Sequence, residues 1–277
     1  MRTLSAQTLI WFVAGAIAAS LAGHAHAQGS GAPPRSSADI TKALEFYKPD
    51  PAAAARAREA IARQPPQTSD QAQLSSFYAE RGRAAGRLGN VAQQIADLRR
   101  AREHIAAGAP EAVSILRELA TAEMTGGNLL EALRLFEESN RVVPANQSGL
   151  LIAGEAGRAT AAVRLGDFPL ARQALGRAEA VYARVQKLPS AERFGHTWAM
   201  FIERARGEVS FLQGRMTEAE AAFRKAIAEV EQDAQLRDKR AAAGDASMIR
   251  EAADGYRSYF QRRLAQTLVW LGRHSEA

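Results

Sequence analysis

The chain has 277 residues, of which 47% are hydrophobic and 24% are charged, a composition typical of a globular protein. It contains no cysteine, and this excludes disulfides, thiol nucleophiles and cysteine-based metal sites. The formal net charge is +6, but acidic residues alternate with arginines along the predicted helices. This pattern favours solvated helix faces over a nucleic-acid surface, with polyanion binding as the weaker alternative.

The first 27 residues predict a secretory signal peptide. Arg2 gives a positive start, residues 9–22 form an apolar run, and Ala25 and Ala27 suit cleavage before Gln28. The run is short for a membrane span, so a retained anchor is the less favoured alternative. Residues 28–37 predict a disordered, flexible leader. We therefore expect an exported protein, periplasmic or secreted, with no membrane span after cleavage.

Two short helices are predicted after the leader, at residues 38–47 and 50–63. Asp50 and Pro51 form a cap and a first-turn proline, and the sequence QPPQ at 64–67 closes the second helix. We expect residues 38–69 to form a capping hairpin that covers the outer face of the helices that follow.

A glycine-centred pattern then recurs along the chain. The turn glycine lies five residues before a mostly small residue and, in the first four cases, nine residues before a large apolar one. Glycine suits the left-handed end of a helix, and Asn90, Asn128 and Asp167 are good caps for the next helix. The turn glycines are Gly89, Gly127, Gly166, Gly214 and Gly272.

A small residue also recurs seven positions before each turn glycine, where we expect the two antiparallel helices to cross. These positions are Gly82, Ala120, Ala159, Gly207 and Ala265.

These segments resemble tetratricopeptide repeats. In the best match, Phe223 is the aromatic residue at position 24 of the repeat. The small positions of that repeat are occupied by Gly207, Gly214, Ala219 and Ala226. Position 7 departs from the pattern, since it is Arg81, Arg158 or Arg206 in three repeats. The spacing of the turn glycines grows from 38 to 58 residues, against about 34 in the family. Two long helices, at 216–240 and 247–271, would explain the longer spacings.

The resemblance implies an all-α fold, a right-handed α-solenoid of antiparallel helix pairs like the tetratricopeptide superhelix. Residues 70–277 would form the array, truncated in its last repeat. The stretch 77–101 also resembles the repeat region that precedes CHAT domains, which are caspase-like peptidase modules of secreted bacterial proteins. That resemblance would place a catalytic domain beyond Ala277.

The chain carries none of the phosphate-loop, zinc-protease or nucleophile-elbow motifs. Pairs such as Glu137 and Glu138 are explained by solvated faces, and His196 by packing or a surface position. We therefore expect no enzyme site, no metal and no cofactor in this chain.

In tetratricopeptide arrays the first helix of each pair lines a concave groove, and the resemblance carries that groove onto this sequence by register. Arginines would make one end cationic and aromatic side chains would line the other. Alternatively, Phe211 and Trp270 pack against the next repeat and the arginines are solvated. The predicted groove residues are Arg83, Arg87, Arg117, Thr121, Arg164, Phe201, Arg204, Glu208, Phe211 and Arg262.

The sequence thus predicts a protein–protein interaction scaffold of the bacterial envelope. We expect its partner to be a protein or peptide, for instance an acidic one, and not a nucleic acid. The alternative is a recognition or regulatory region of a larger secreted CHAT-domain peptidase. The carboxylate clamp of chaperone-binding tetratricopeptide proteins is not matched, because Ala79 and Arg83 occupy two of its positions.

Overall fold

The computed structural model describes residues 51–106, 108–242 and 251–277, with side chains of the last segment from residue 255, and this part of the chain contains ten α-helices and no strand. The predicted all-α class is confirmed. A short 3₁₀ turn lies at Ala145–Gln147. The helices are α1 (Pro51–Ala62), α2 (Gln71–Arg87), α3 (Val91–Glu103), α4 (Ala112–Thr125), α5 (Leu129–Arg141), α6 (Leu150–Leu165), α7 (Phe168–Val185), α8 (Ala191–Leu212), α9 (Met216–Ala242) and α10 (Glu251–Trp270).

The same turn ends α2, α4, α6, α8 and α10. In the turn after α6, Gly166 adopts a φ of +87°, and its N–H donates to the Val163 carbonyl at 3.1 Å. The Asp167 N–H donates to the Ala162 carbonyl at 2.9 Å, which completes a Schellman motif. The other four turns repeat both hydrogen bonds and a positive φ, at Gly89, Gly127, Gly214 and Gly272. The predicted equivalence of the five turn glycines is therefore confirmed.

Two of the three predicted caps are confirmed. The Asn90 side chain accepts from the Gln93 N–H at 3.1 Å, and Asp167 accepts from the Leu170 N–H at 3.0 Å. The prediction that the Asn128 side chain caps α5 is wrong. Its side chain makes no cap bond and instead donates to Glu123 Oε2 at 2.7 Å, because that carboxylate is buried and needs donors.

Each helix packs mainly on its neighbours in the chain. The closest partners are the pairs α2 with α3, α4 with α5, α6 with α7 and α8 with α9, and α1 packs on α2. The first helices of two successive pairs, α6 and α8, also pack on each other. Local packing of this kind lets each pair bury one face of the next.

The helix pairs cross where small residues were predicted. A β-carbon at Gly207 would collide with the Phe223 ring, and one at Gly82 would lie 3.1 Å from Leu98 Cγ. Ala120 and Ala159 are fully buried. Small residues on one helix therefore make room for the large side chain of its neighbour.

The face predicted from the repeat pattern forms part of the core. Ala219, Phe223 and Ala226 are fully buried and pack with Val230 and Phe260. The first predicted long helix is present as α9, with 27 residues, and the second corresponds to α10, with 20 residues. Residues 247–250 of the second prediction lie outside the described residues. Among the described helices, none has the length and apolar character to cross a membrane. The predicted signal, leader and first capping helix, residues 1–47, lie outside the described residues.

Arginine at repeat position 7 has a structural explanation. Arg81 forms a forked pair with Asp97 on α3, with donor–acceptor distances of 2.7 and 3.0 Å. Arg206 donates to Glu179 on α7 at 2.8 Å. Both arginines therefore form ion pairs with carboxylates of a neighbouring helix.

Candidate functional site

Polar contacts join the first helices of the pairs, which we call the first-helix row (α2, α4, α6, α8 and α10). Arg83 Nε on α2 donates to Glu118 Oε2 on α4 at 2.7 Å. Arg117 Nη1 on α4 donates to the Leu150 carbonyl at the start of α6 at 3.4 Å. The first three members of the row are thus linked by side chains at predicted groove positions.

Glu208 continues the row from α6 to α10. Its carboxylate lies 3.8 Å from Arg164 on α6 and accepts two hydrogen bonds from Arg263 on α10, at 2.6 and 3.0 Å. It also accepts from the Tyr259 hydroxyl at 2.6 Å. Glu208 is only 1% exposed, so its charge depends on these partners.

The environment of Glu208 also affects its neighbours. Burial, followed by the nearby Glu208 charge, raises the pKa of Tyr259 to about 12 and keeps the phenol protonated as a donor. The Arg263 guanidinium lies over the Phe211 ring, 4.2 Å from its centroid. Phe211 therefore packs between α8 and α10 beneath a charge and is only partly exposed.

An aromatic pair lies further along the row. The rings of Phe201 on α8 and Tyr256 on α10 meet edge to face with centroids 5.9 Å apart. Arg204 lies 5.3 Å from the Phe201 centroid.

Three predicted groove residues are exposed. Arg87 lies at the end of α2, Thr121 lies on α4 with its hydroxyl donating to the Arg117 carbonyl at 2.8 Å, and Arg262 lies 5.8 Å from the Tyr259 centroid. Phe211 packs against α10, as the alternative interpretation expected. Trp270, at the end of α10, is 71% exposed.

The structure therefore brings six of the ten predicted residues into contacts between members of the first-helix row and leaves three exposed. Arg204 lies against Phe201 on its own helix. The sequence reasoning missed Glu118, Arg263 and Tyr256. A register signal could have found the first two, because Arg83 and Glu208 occupy position 9 of their repeats and each pairs with position 6 of the next.

A cleft of about 440 Å³ lies on another face, between α7, α8 and α9. Its charged side chains neutralise one another, since Arg206 pairs with Glu179 and Glu203, and Lys225 pairs with Glu203. Within the described residues, no group of three or more acidic or histidine side chains could hold a metal ion. The first-helix row is therefore the stronger candidate for a site.

No protein-family model matches the chain, and a comparison with curated proteins finds no match. The resemblance to tetratricopeptide repeats therefore depends on the residues themselves.

Proposed function

We propose that this chain is a protein–protein interaction scaffold of the bacterial envelope. Its helix pairs would stack as a right-handed, tetratricopeptide-like solenoid, with the first-helix row along the concave side. The observation that carries the proposal is the chain of side-chain contacts from α2 to α10, which runs through Arg83, Arg117 and Glu208. A row of this kind forms the continuous surface on which repeat proteins bind extended partners.

The charge of the row favours an acidic partner. Six of the ten predicted groove residues are arginines and only Glu208 is acidic, so the surface attracts carboxylates. Glu208 is already paired with Arg263, and Glu118 offsets Arg83. The surplus positive charge thus lies on Arg87, Arg117, Arg204 and Arg262. The predicted signal peptide supports an envelope location.

A capture experiment with matched variants tests the proposal. The chain from residue 28 would be used to recover proteins from envelope extract, as wild type, with Arg117→Glu and with Arg134→Glu. Arg134 is the control because it lies on α5, outside the row, and its side chain is 79% exposed.

We expect a protein that is recovered by the wild type and by Arg134→Glu but lost with Arg117→Glu. Equal loss with both variants would contradict a site on the first-helix row. Binding to heparin with a steep salt dependence, without any protein partner, would favour polyanion binding instead.

A further inference from the structure

The cleft between α7, α8 and α9 has the size of a small-molecule site. Its volume of about 440 Å³ lies within the range of about 300–1,000 Å³ that is usual for such sites. Both α7 and α9 pack on α8, and Leu175, Val209 and Ala222, one from each helix, supply apolar lining. None of the ten predicted groove residues lines the cleft, so a ligand here would use a different set of side chains.

Glu203 on α8 has a carboxylate that is only half satisfied. Its side chain is 5% exposed, and it lines the cleft. Arg206 Nη1 donates to its Oε1 at 2.7 Å, and Lys225 Nζ lies 2.7 Å from the same oxygen. Its Oε2 accepts no hydrogen bond from the described part of the chain and is not fully enclosed. A buried carboxylate oxygen normally has a donor, so Oε2 is an acceptor that remains open to the cleft.

Lys225 on α9 offers donors beside this acceptor. An ammonium group carries three N–H donors, and Glu203 Oε1 takes one of them. The Lys225 side chain is 57% exposed and lines the cleft, so its other donors are accessible to a ligand. The cleft therefore presents a buried acceptor and an exposed donor next to each other.

The charges that line the cleft balance one another. Arg206 donates to Glu179 at 2.8 Å, and Arg215 donates to Glu218 at 2.6 Å. Together with the pair described above, the lining contains three carboxylates and three cationic groups. A ligand with a net charge would bring an uncompensated charge into a partly desolvated space, whereas a zwitterion would not.

We propose that this cleft binds a small zwitterion, an α-amino acid with an apolar side chain. Its ammonium group donates to Glu203 Oε2, and its carboxylate accepts from Lys225. Its side chain lies against Leu175, Val209 and Ala222. Hydrogen bonds between charged groups are the strong ones, and burial of the apolar side chain adds to them. This inference goes beyond the proposed function, since it assigns a second site with a different class of ligand.

Four probes separate the parts of the ligand. Leucine carries both charges and an apolar side chain, 3-methylbutylamine lacks the carboxylate, 4-methylpentanoate lacks the ammonium group, and glycine lacks the side chain. Binding to the chain from residue 28 would be measured by nuclear magnetic resonance titration. We expect leucine to bind with a Kd of about 1 mM or lower, and each of the other probes to bind about tenfold or more weakly.

Matched variants test whether leucine binds in the cleft. Lys225→Met removes the donor to the ligand carboxylate, and Glu203→Gln removes the charge that faces its ammonium group, so each should weaken leucine binding about tenfold. The control is Lys187→Met, because Lys187 is exposed after the end of α7 and does not line the cleft, and it should change binding less than about twofold. Equal binding of leucine and any other probe, no saturable binding of leucine, or unchanged binding by Lys225→Met would overturn the inference.

Melting temperatures separate loss of the site from loss of the fold. Glu203→Gln removes the counter-charge of Arg206 and should melt lower than the wild type, whereas Lys225→Met changes an exposed side chain and should melt close to it. Saturating leucine should raise the melting temperature of the wild type and of Lys187→Met but not of Lys225→Met. An equal rise in all three would mean that leucine binds elsewhere and would contradict the inference. If leucine fails to bind while envelope capture still depends on Arg117, only this inference falls and the proposed function stands.

Discussion

Replacing Gly166 by alanine tests the turn between α6 and α7 on backbone conformation alone. A β-carbon added there would meet no atom within 4 Å, so the substitution creates no collision. Its φ is +87°, however, a left-handed conformation that a residue with a β-carbon adopts at a cost. Any loss of stability therefore reports the strain of the turn.

The expected magnitude follows from two opposing effects. Left-handed backbone costs an alanine about 1–2 kcal/mol. Alanine also reduces the entropy of the unfolded chain, which offsets about 0.4–1 kcal/mol of that strain. We expect Gly166→Ala to lower the free energy of unfolding by about 1 kcal/mol. The matched control is Gly176→Ala, because Gly176 is exposed in α7 with no neighbour within 4 Å of its β-carbon position and no positive φ.

The control variant should gain about 0.5–1 kcal/mol, since glycine within a helix is unfavourable. The two variants should then differ by about 1.5 kcal/mol, or roughly 3–6 °C in melting temperature for a chain of this size. Circular dichroism during heating and urea unfolding would measure both. If the two variants shift stability in the same direction, the left-handed turn is not what ends α6.

Three further predictions concern the core and the buried acid. Gly207→Ala should destabilise the chain by about 1–3 kcal/mol in urea unfolding, because the added β-carbon would collide with Phe223. Adding Phe223→Leu should restore part of the lost stability. If Gly207→Ala has no effect, α8 and α9 do not cross at this residue. Glu208→Gln should cost about 3–5 kcal/mol in the same assay because Arg263 loses its counter-charge, and a neutral outcome would mean that this pair is dispensable. In ultraviolet titration one tyrosine should ionise near pH 12, and this transition should be absent in Tyr259→Phe. The pKa of Tyr259 in the folded chain exceeds the unfolded value of about 10. The stabilisation from its phenol is therefore complete below pH 10 and is lost as the pH rises to about 12. A full set of phenols ionising together near pH 10 would exclude the buried contact with Glu208.

The repeat pattern predicted the helix boundaries well because each turn is a local event. A glycine at the end of α6 and a capping Asp167 fix that turn through hydrogen bonds to nearby backbone atoms. The crossing points at Gly207 and Gly82 could be predicted for a related reason. A small residue at fixed spacing is needed wherever a large side chain of the neighbouring helix inserts.

The polar contacts between helices could not be predicted in the same way. The cap expected at Asn128 is lost to the buried Glu123, and this competition depends on packing that local sequence does not describe. The ring of Phe211 was predicted to face a groove but lies under Arg263, a residue 52 positions away along the chain. The position of a residue in its repeat predicts which helix lies next to it. Which side chain of that helix it contacts depends on how closely and at what angle the two helices pack.

Site-specific photo-crosslinking tests most directly whether the first-helix row is the binding surface. Benzoylphenylalanine would replace Thr121, which is exposed on α4, or Arg134, which is exposed on α5 outside the row. After illumination in envelope extract, we expect a covalent adduct with a protein partner from position 121 and none from position 134. Adducts from position 134 alone, or equally from both positions, would contradict it.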